Sequence, residues 1–210
     1  MPDLLRTDSL VEPPLPPDFY DRDVVQVARE LLGKRLYRHS RDGVVAGRIV
    51  ETEAYLATGD SACHAARGRT RKNVSMFGPP GRAYVYSIHA RWCLNAVTQP
   101  RGVPSAVLIR AVQPLLGIGR MQRRRKSQRT VDLARGPSRL CEAFQIDRRL
   151  DGWDLSRGQR LWLTHDPDDP LPDHCIGNSP RIGVTSALDL CLRFYLRDNH
   201  YVSGPKRLRI

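Results

Sequence analysis

Gly47-Arg48-Ile49-Val50-Glu51-Thr52-Glu53-Ala54-Tyr55-Leu56 is the most informative stretch of this 210-residue chain. Read as a strand, it places Glu51, Glu53 and Tyr55 on one face and Val50, Thr52, Ala54 and Leu56 on the other. Val50 and Leu56 suit a core, so the Glu/Tyr side lines a polar cleft or faces solvent. A carboxylate about 6 to 7 Å along the strand from a tyrosine ring suits a planar ligand: the ring stacks on it while the carboxylate works at its edge. The competing reading is a pair of exposed glutamates on a sheet surface.

The period of two recurs on both sides of this stretch. Segments 34–39, 43–56, 82–88, 92–98 and 105–112 carry Val, Ile, Leu, Tyr and Trp. They are separated by Asp42-Gly43, by Gly78-Pro79-Pro80-Gly81 and by Pro100-Arg101-Gly102. Short turns of this kind favour an antiparallel or mixed sheet. Further strands are predicted at 159–163, 181–185 and 192–197. Val24, Val27, Ala28, Leu31 and Leu32 follow helical spacing, with Asp21 as N-cap and Gly33 past the end. A second helix is expected after Pro114, running to about Lys126. A third opens after Gly136-Pro137-Ser138, with Leu140, Ala143, Phe144 and Ile146 as its apolar side. The pattern is α+β. Residues 1–17 end in Pro13, Pro14, Pro16 and Pro17 and are expected to form an extended lead, followed by one domain over 18–210.

Composition narrows the partner. The net charge is +12, and the sequence pI of about 10.1 lies above the value of about 9 that marks a nucleic-acid candidate. Arg67, Arg69, Arg71 and Lys72 crowd one segment, and Arg120, Arg123, Arg124, Arg125, Lys126 and Arg129 another. Either run alone reads as a solvated face, but two runs without matching acidic blocks favour a polyanion such as DNA or RNA. Cys63, Cys93, Cys141, Cys175 and Cys191 are odd in number, scattered and without metal-site spacing, which predicts reduced thiols, no bound metal and a cytoplasmic protein. Neither a secretory leader nor a membrane span is expected. G-x-G-x-x-G, G-x-x-x-x-G-K-[ST], G-x-S-x-G, H-E-x-x-H and the zinc deaminase signature are all missing, so a nucleotide cofactor or a catalytic zinc fits poorly and no cofactor is expected.

Two more features bear on a planar ligand. Tyr84 and Tyr86 share a face of one predicted strand, as the wall of a slot for a base or as cross-strand packing. His64 lies in Asp60-Ser61-Ala62-Cys63-His64-Ala65-Ala66, directly before the first basic run, in a place where a surface histidine is the ordinary alternative.

With these residues in place, the chain from about 19 to 203 resembles the alkyladenine (3-methyladenine) DNA glycosylase family. The resemblance is carried, in order, by GRIVETEAY (47–55), MFGPPGRAYVY (76–86), CLNAVT (93–98), VLIRAVQPLLG (107–117), LARGPSRLCEAF (133–144), RIGV (181–184) and LRFYLR (192–197). It implies a single compact domain with a curved, mainly antiparallel sheet flanked by helices, like the C-terminal domain of formyltransferases. By the same resemblance Glu53 is the general base that activates water, Arg110 helps hold that water, and the backbone carbonyl of Ile182 supplies a third contact. Tyr55 and His64 stack on one face of a flipped base and Tyr86 on the other, while Asn95 disfavours guanine. One departure stands out. Where the family has a tyrosine that wedges into the duplex, this chain reads Ser87-Ile88-His89-Ala90-Arg91-Trp92, one residue shorter, with His89 the nearest candidate wedge and Arg91 behind it.

The implied activity is monofunctional hydrolysis of the N-glycosidic bond of damaged purines (3-methyladenine, 7-methylguanine, hypoxanthine, ethenoadenine) in double-stranded DNA by a monomer, leaving an abasic site. No activated lysine of the Schiff-base lyase kind is discernible. The basic residues Arg67, Arg69, Arg71, Arg123, Arg124 and Arg125 are then candidate phosphate contacts. A non-catalytic damaged-DNA-binding protein is the alternative, and an RNA-directed role a weaker one.

Overall fold

The computed structural model describes residues 12–166, 170–205 and 208. Among these, eight strands form one antiparallel sheet accompanied by four α-helices and several short 3-10 turns, which is the α+β architecture expected. In chain order the elements are α1 (Pro17–Tyr20), α2 (Val24–Glu30), β1 (Arg35–Ser40), β2 (Gly43–Tyr55), β3 (Ala83–Ile88), β4 (Arg91–Thr98) and β5 (Ser105–Leu116). They continue with α3 (Ile118–Arg125), α4 (Pro137–Phe144), β6 (Leu161–Thr164), β7 (Ile176–Ser179) and β8 (Arg193–Leu196). The strand order is β3-β4-β5-β2-β1-β6, and β8 joins β2 while pairing with β7.

β2 organises the sheet. It pairs with β5 on one edge; on the other it pairs first with β1 and then, at Glu51–Glu53, with β8. Register shifts around Ile49 and Glu51 put Ile49 and Val50 both in the core. Beyond the shift the alternation resumes. Thr52 and Ala54 face the helices, with the Thr52 hydroxyl donating to the Ala28 carbonyl of α2 at 2.8 Å, and Glu51, Glu53 and Tyr55 face the other way. β5 continues past the 112 expected from Pro114, because that proline sits opposite Gly47 beside a second register shift, where a missing N–H is tolerated.

The main core lies between the sheet and its helices. Val27, Ala28 and Leu31 from the α2 region and Leu140, Ala143 and Phe144 from α4 pack on Ile49, Ala54, Leu94, Ala96, Val107 and Ile109. A smaller cluster of Cys63, Ala65, Met76, Tyr84, Val97 and Ala106 occupies the opposite face. Among the described residues no helix is long and apolar enough to cross a membrane.

Several local expectations are corrected. The N-cap of α2 is Asp23, whose Oδ1 accepts from the Val25 and Gln26 N–H groups at 3.0 Å, not Asp21, which ends α1. Residues 1–11 of the expected lead lie outside the described residues, but its last part belongs to the fold. Leu15 is fully buried, its N–H donates to the Leu163 carbonyl at 2.8 Å, and Pro14 bridges Thr164 on the outer edge of β6. At the far edge, Ala83 and Gly152 bond the Trp153 and Ala83 carbonyls at 2.7 Å, and the Val85 N–H meets Asp151 Oδ1 at 2.9 Å, so residues 151–153 cover β3. No strand forms at 181–185; the nearest is β7. Residues 181–184 are instead a loop with Gly183 at φ 83°, whose polar groups are taken up by the site described next.

Candidate active site

Three elements meet at Glu53. Its carboxylate is fully buried: Oε1 accepts the Ile182 N–H at 2.7 Å and lies 3.2 Å from Arg110 Nη1, and Oε2 accepts the Tyr55 hydroxyl at 2.9 Å. The same Arg110 nitrogen donates to the Ile182 carbonyl at 3.2 Å. Strand β2 thus supplies the carboxylate, β5 the guanidinium and the loop after β7 a backbone donor and acceptor. The three residues expected to act together, Glu53, Arg110 and Ile182, are in contact.

The loop is held by a buried ion pair that sequence reasoning did not assign. Arg181 donates to both Asp60 oxygens, at 2.6 and 2.7 Å, and to the Ala54 carbonyl at 3.0 Å, with both side chains fully buried. Its guanidinium carbon also lies 4.6 Å above the Tyr55 ring. Asp60 further accepts the Leu56 and Ala62 N–H groups at 3.1 Å. The Ile182 N–H and C=O are already taken by Glu53 and Arg110, so RIGV, with its β-branched residues, does not extend as a strand.

The two glutamates differ in electrostatic state. Burial raises both carboxyls, but Arg110 and Arg193 more than reverse this at Glu51 and hold it below its ordinary value. At Glu53 burial wins over Arg110, the Ile182 N–H and Tyr55, so its carboxyl titrates above the ordinary range. Tyr55 and Tyr86 are pushed up by burial and stay neutral phenols, and burial lowers His64. Neither glutamate is the exposed surface residue that the alternative reading held out.

Beside Glu53 lies an aromatic group of Tyr55, His64, Tyr84 and Tyr86, closed by Met76, Asn95 and Ala106. Asn95 is buried and donates to the Tyr84 carbonyl at 3.0 Å. His64 Nδ1 lies 2.9 Å from the Tyr84 hydroxyl, and the His64 ring meets the Tyr86 ring edge-on at 4.3 Å between centroids. The free space among these side chains is about 10 Å³, room for one water at most. His64 and Tyr86 therefore touch instead of standing apart as two walls. Tyr84 belongs to this group although only its strand face was legible beforehand.

The remaining expected residues divide in two. His89 and Arg91 are exposed at the tip of the β3–β4 hairpin, where His89 and Ala90 form a two-residue turn with φ 48° and 59°. Arg67, Arg69 and Arg71 are exposed on the segment that follows His64, and the Arg69 guanidinium lies 5.7 Å from the ring of Phe77, which packs on the smaller cluster. The second basic run lies elsewhere, because α3 packs against α4 on the helix-covered face. There Arg124 donates to the Ala143 carbonyl at 2.8 Å and both Asp42 oxygens at 2.7 and 2.8 Å. Arg125 bonds the Leu133 carbonyl at 3.1 Å and pairs with Glu142. Only Arg123 of these three is exposed.

Residues 18–200 match the family described as methylpurine-DNA glycosylase. The chain is 47% identical over 194 residues to a protein of Rhodopirellula baltica, covering 90% of this chain and 82% of that one. It is 46% identical over 198 residues to one of Mesorhizobium japonicum, covering 94% and 93%. A protein of Carboxydothermus hydrogenoformans is 44% identical over 190 residues, covering 90% and 98%. Each of the three bears the name "Putative 3-methyladenine DNA glycosylase".

Proposed function

Because the chain belongs to the methylpurine-DNA glycosylase family, we propose that it hydrolyses the N-glycosidic bond of damaged purines in duplex DNA with a water activated by Glu53. The observation that carries this reading is the carboxylate of Glu53, fully buried among Arg110, the Ile182 backbone and Tyr55 and bordered by four aromatic rings. A carboxyl raised above its ordinary value is a stronger base near neutral pH than a free one. As the bond breaks, positive charge develops on the sugar, and the same carboxylate stabilises it. Arg110 Nη1 and the Ile182 carbonyl lie within hydrogen-bond distance of each other, a donor and an acceptor for orienting the attacking water.

A flipped base stacks against Tyr55 and His64 on one side and Tyr86 on the other, with Asn95 at its edge. Entry requires His64 and Tyr86 to separate from 4.3 Å to roughly 7 to 8 Å, two successive ring contacts. His64 stands at the start of segment 64–68, which is exposed except for Ala65, ends on Gly68 at φ 87° and carries no other ring into the group. A base alkylated on a ring nitrogen leaves as a good leaving group, whereas hypoxanthine needs a proton as it departs, so the two substrate types differ in pH dependence. In this reading the protein meets the duplex as a monomer, through His89 and Arg91 at the hairpin tip and Arg67, Arg69 and Arg71, all of them exposed.

The test is single-turnover base release from duplexes holding one hypoxanthine or one ethenoadenine, alongside methylated DNA assayed for free 3-methyladenine. Wild type should release a base, and Glu53→Gln should be slower by roughly 10²- to 10⁴-fold with duplex affinity retained. Release by both proteins at equal rates would remove Glu53 from the mechanism. Binding without release by wild type would instead support the non-catalytic damage-binding reading.

A further inference from the structure

A second carboxylate stands behind Glu53, and the reaction as described leaves it unused. Glu51 is fully buried and accepts three hydrogen bonds. Its Oε1 takes Arg110 Nε at 3.1 Å and Arg193 Nε at 2.6 Å, and its Oε2 takes the Ser203 N–H at 2.7 Å. Arg193, also fully buried, is gripped in turn. Its Nη1 donates to Ser179 Oγ at 2.8 Å and the Leu208 carbonyl at 2.7 Å, and its Nη2 donates to the Ser203 carbonyl at 3.1 Å. Arg110 Nη2 reaches Ser203 Oγ at 3.5 Å. Four segments, β2, β5, β8 and the stretch around Ser203, are tied through one carboxylate.

This arrangement orients Arg110 specifically. A guanidinium is planar with donors in fixed directions, so fixing Nε on Glu51 determines where Nη1 points. Here Nη1 points at Glu53 Oε1 and the Ile182 carbonyl. The geometry points to Glu51 as a positioning residue for base excision: it aims Arg110 at Glu53, and Arg193 with the Ser203 segment keeps Glu51 in place. This rests on Glu53 being the group that activates water.

The arrangement also sets charge. The groups that face Glu53 are Glu51 and Tyr55 on its own strand, Arg110 on β5, Cys93 on β4, and Arg181 with the Ile182 N–H on the loop. Glu51 adds a like charge that opposes the pull of Arg110 on Glu53. Without Glu51 that repulsion is gone, and the Glu53 carboxyl titrates lower.

The experiment uses the full-length protein and single-turnover release from the preferred lesion duplex, measured across pH. Glu51→Gln is expected to slow release by roughly 10- to 100-fold, the scale of a small misplacement in a reacting group, and to move the acid limb of the pH profile downward. In an Arg110→Met background the same substitution should change the rate by less than about threefold, because coupled residues are not additive. A folded Glu51→Gln protein with the wild-type rate and pH profile overturns the proposal, as does an equal loss in both backgrounds. If Glu51→Gln does not fold, Arg193→Lys keeps a buried cation but loses the planar fork. It should slow release in the Arg110 protein and not in Arg110→Met, and an unchanged rate in the former overturns the proposal. Slow Glu53→Gln beside normal Glu51→Gln refutes only this inference, whereas an active Glu53→Gln refutes the proposed function with it.

Discussion

Replacing Asp60 by Asn removes one charge from a fully buried ion pair while keeping the side chain's size. Both Asp60 oxygens accept from Arg181, at 2.6 and 2.7 Å, and each accepts one backbone N–H at 3.1 Å. In the Asp60→Asn protein one acceptor becomes an NH₂ aimed at a guanidinium N–H, so a donor faces a donor and the Arg181 charge is left uncompensated. Breaking one partner of a buried pair costs about 3 to 5 kcal/mol. A domain of this size loses about 2 to 4 °C per kcal/mol, so the melting temperature should fall by roughly 6 to 20 °C. Thermal unfolding followed by circular dichroism at neutral pH measures this directly.

The pH dependence adds a sign. Burial raises the Asp60 carboxyl, but Arg181 and the two backbone donors outweigh it and hold the folded value below the ordinary 3.8. A carboxyl depressed on folding contributes stability above its unfolded value, lost as pH falls through the folded one. The gap between wild type and Asp60→Asn should therefore narrow as pH drops below about 4. Base release should slow as well, because Arg181 holds the loop that presents Ile182 to Glu53. A melting temperature within about 3 °C of wild type would refute the claim that this pair holds the loop.

Three further outcomes follow from where these residues sit. Replacing Arg67, Arg69 and Arg71 together by Ala should weaken binding to every duplex and flatten the logarithmic salt slope by about 0.9 for each phosphate no longer neutralised. Arg124→Ala should leave that slope alone and lower the melting temperature, since its guanidinium is engaged by Asp42 and the end of α4; an altered slope in this variant would place α3 on the DNA. At the hairpin tip, Ala90→Gly should stabilise the protein by roughly 0.5 to 1 kcal/mol, because glycine accepts the left-handed backbone that alanine resists. A lower melting temperature in calorimetry would contradict that reading.

What was legible in the sequence is local. The face shared by Glu51, Glu53 and Tyr55 follows from the period of a strand, and it survives although register shifts flank Glu51 on both sides. The α4 start at Pro137, behind Gly136, is equally local. What stayed hidden depends on partners far along the chain. The Arg run reads as a patch of charge because nothing near it reveals Asp42, 82 residues before Arg124. Glu51 and Arg193 are 142 residues apart, and Asp60 and Arg181 121. RIGV has strand-like composition, but a backbone whose N–H and C=O serve Glu53 and Arg110 has none left for a ladder. The contact between His64 and Tyr86 depends on how segment 64–68 folds over the sheet, which no spacing rule supplies.

The covered sheet ends have a meaning of their own. An open strand end is a template on which another polypeptide can add itself, the route to runaway self-association. Pro14 has no N–H to hand on, so the chain that lies along β6 stops the ladder there. Residues 151–153 occupy the outward groups of Ala83 and Val85 at the opposite margin. A molecule with net charge +12 whose partner is a long polyanion is gathered at high local density along that polymer. Closing the β3 and β6 margins removes two main-chain templates on which such crowding could turn into aggregation.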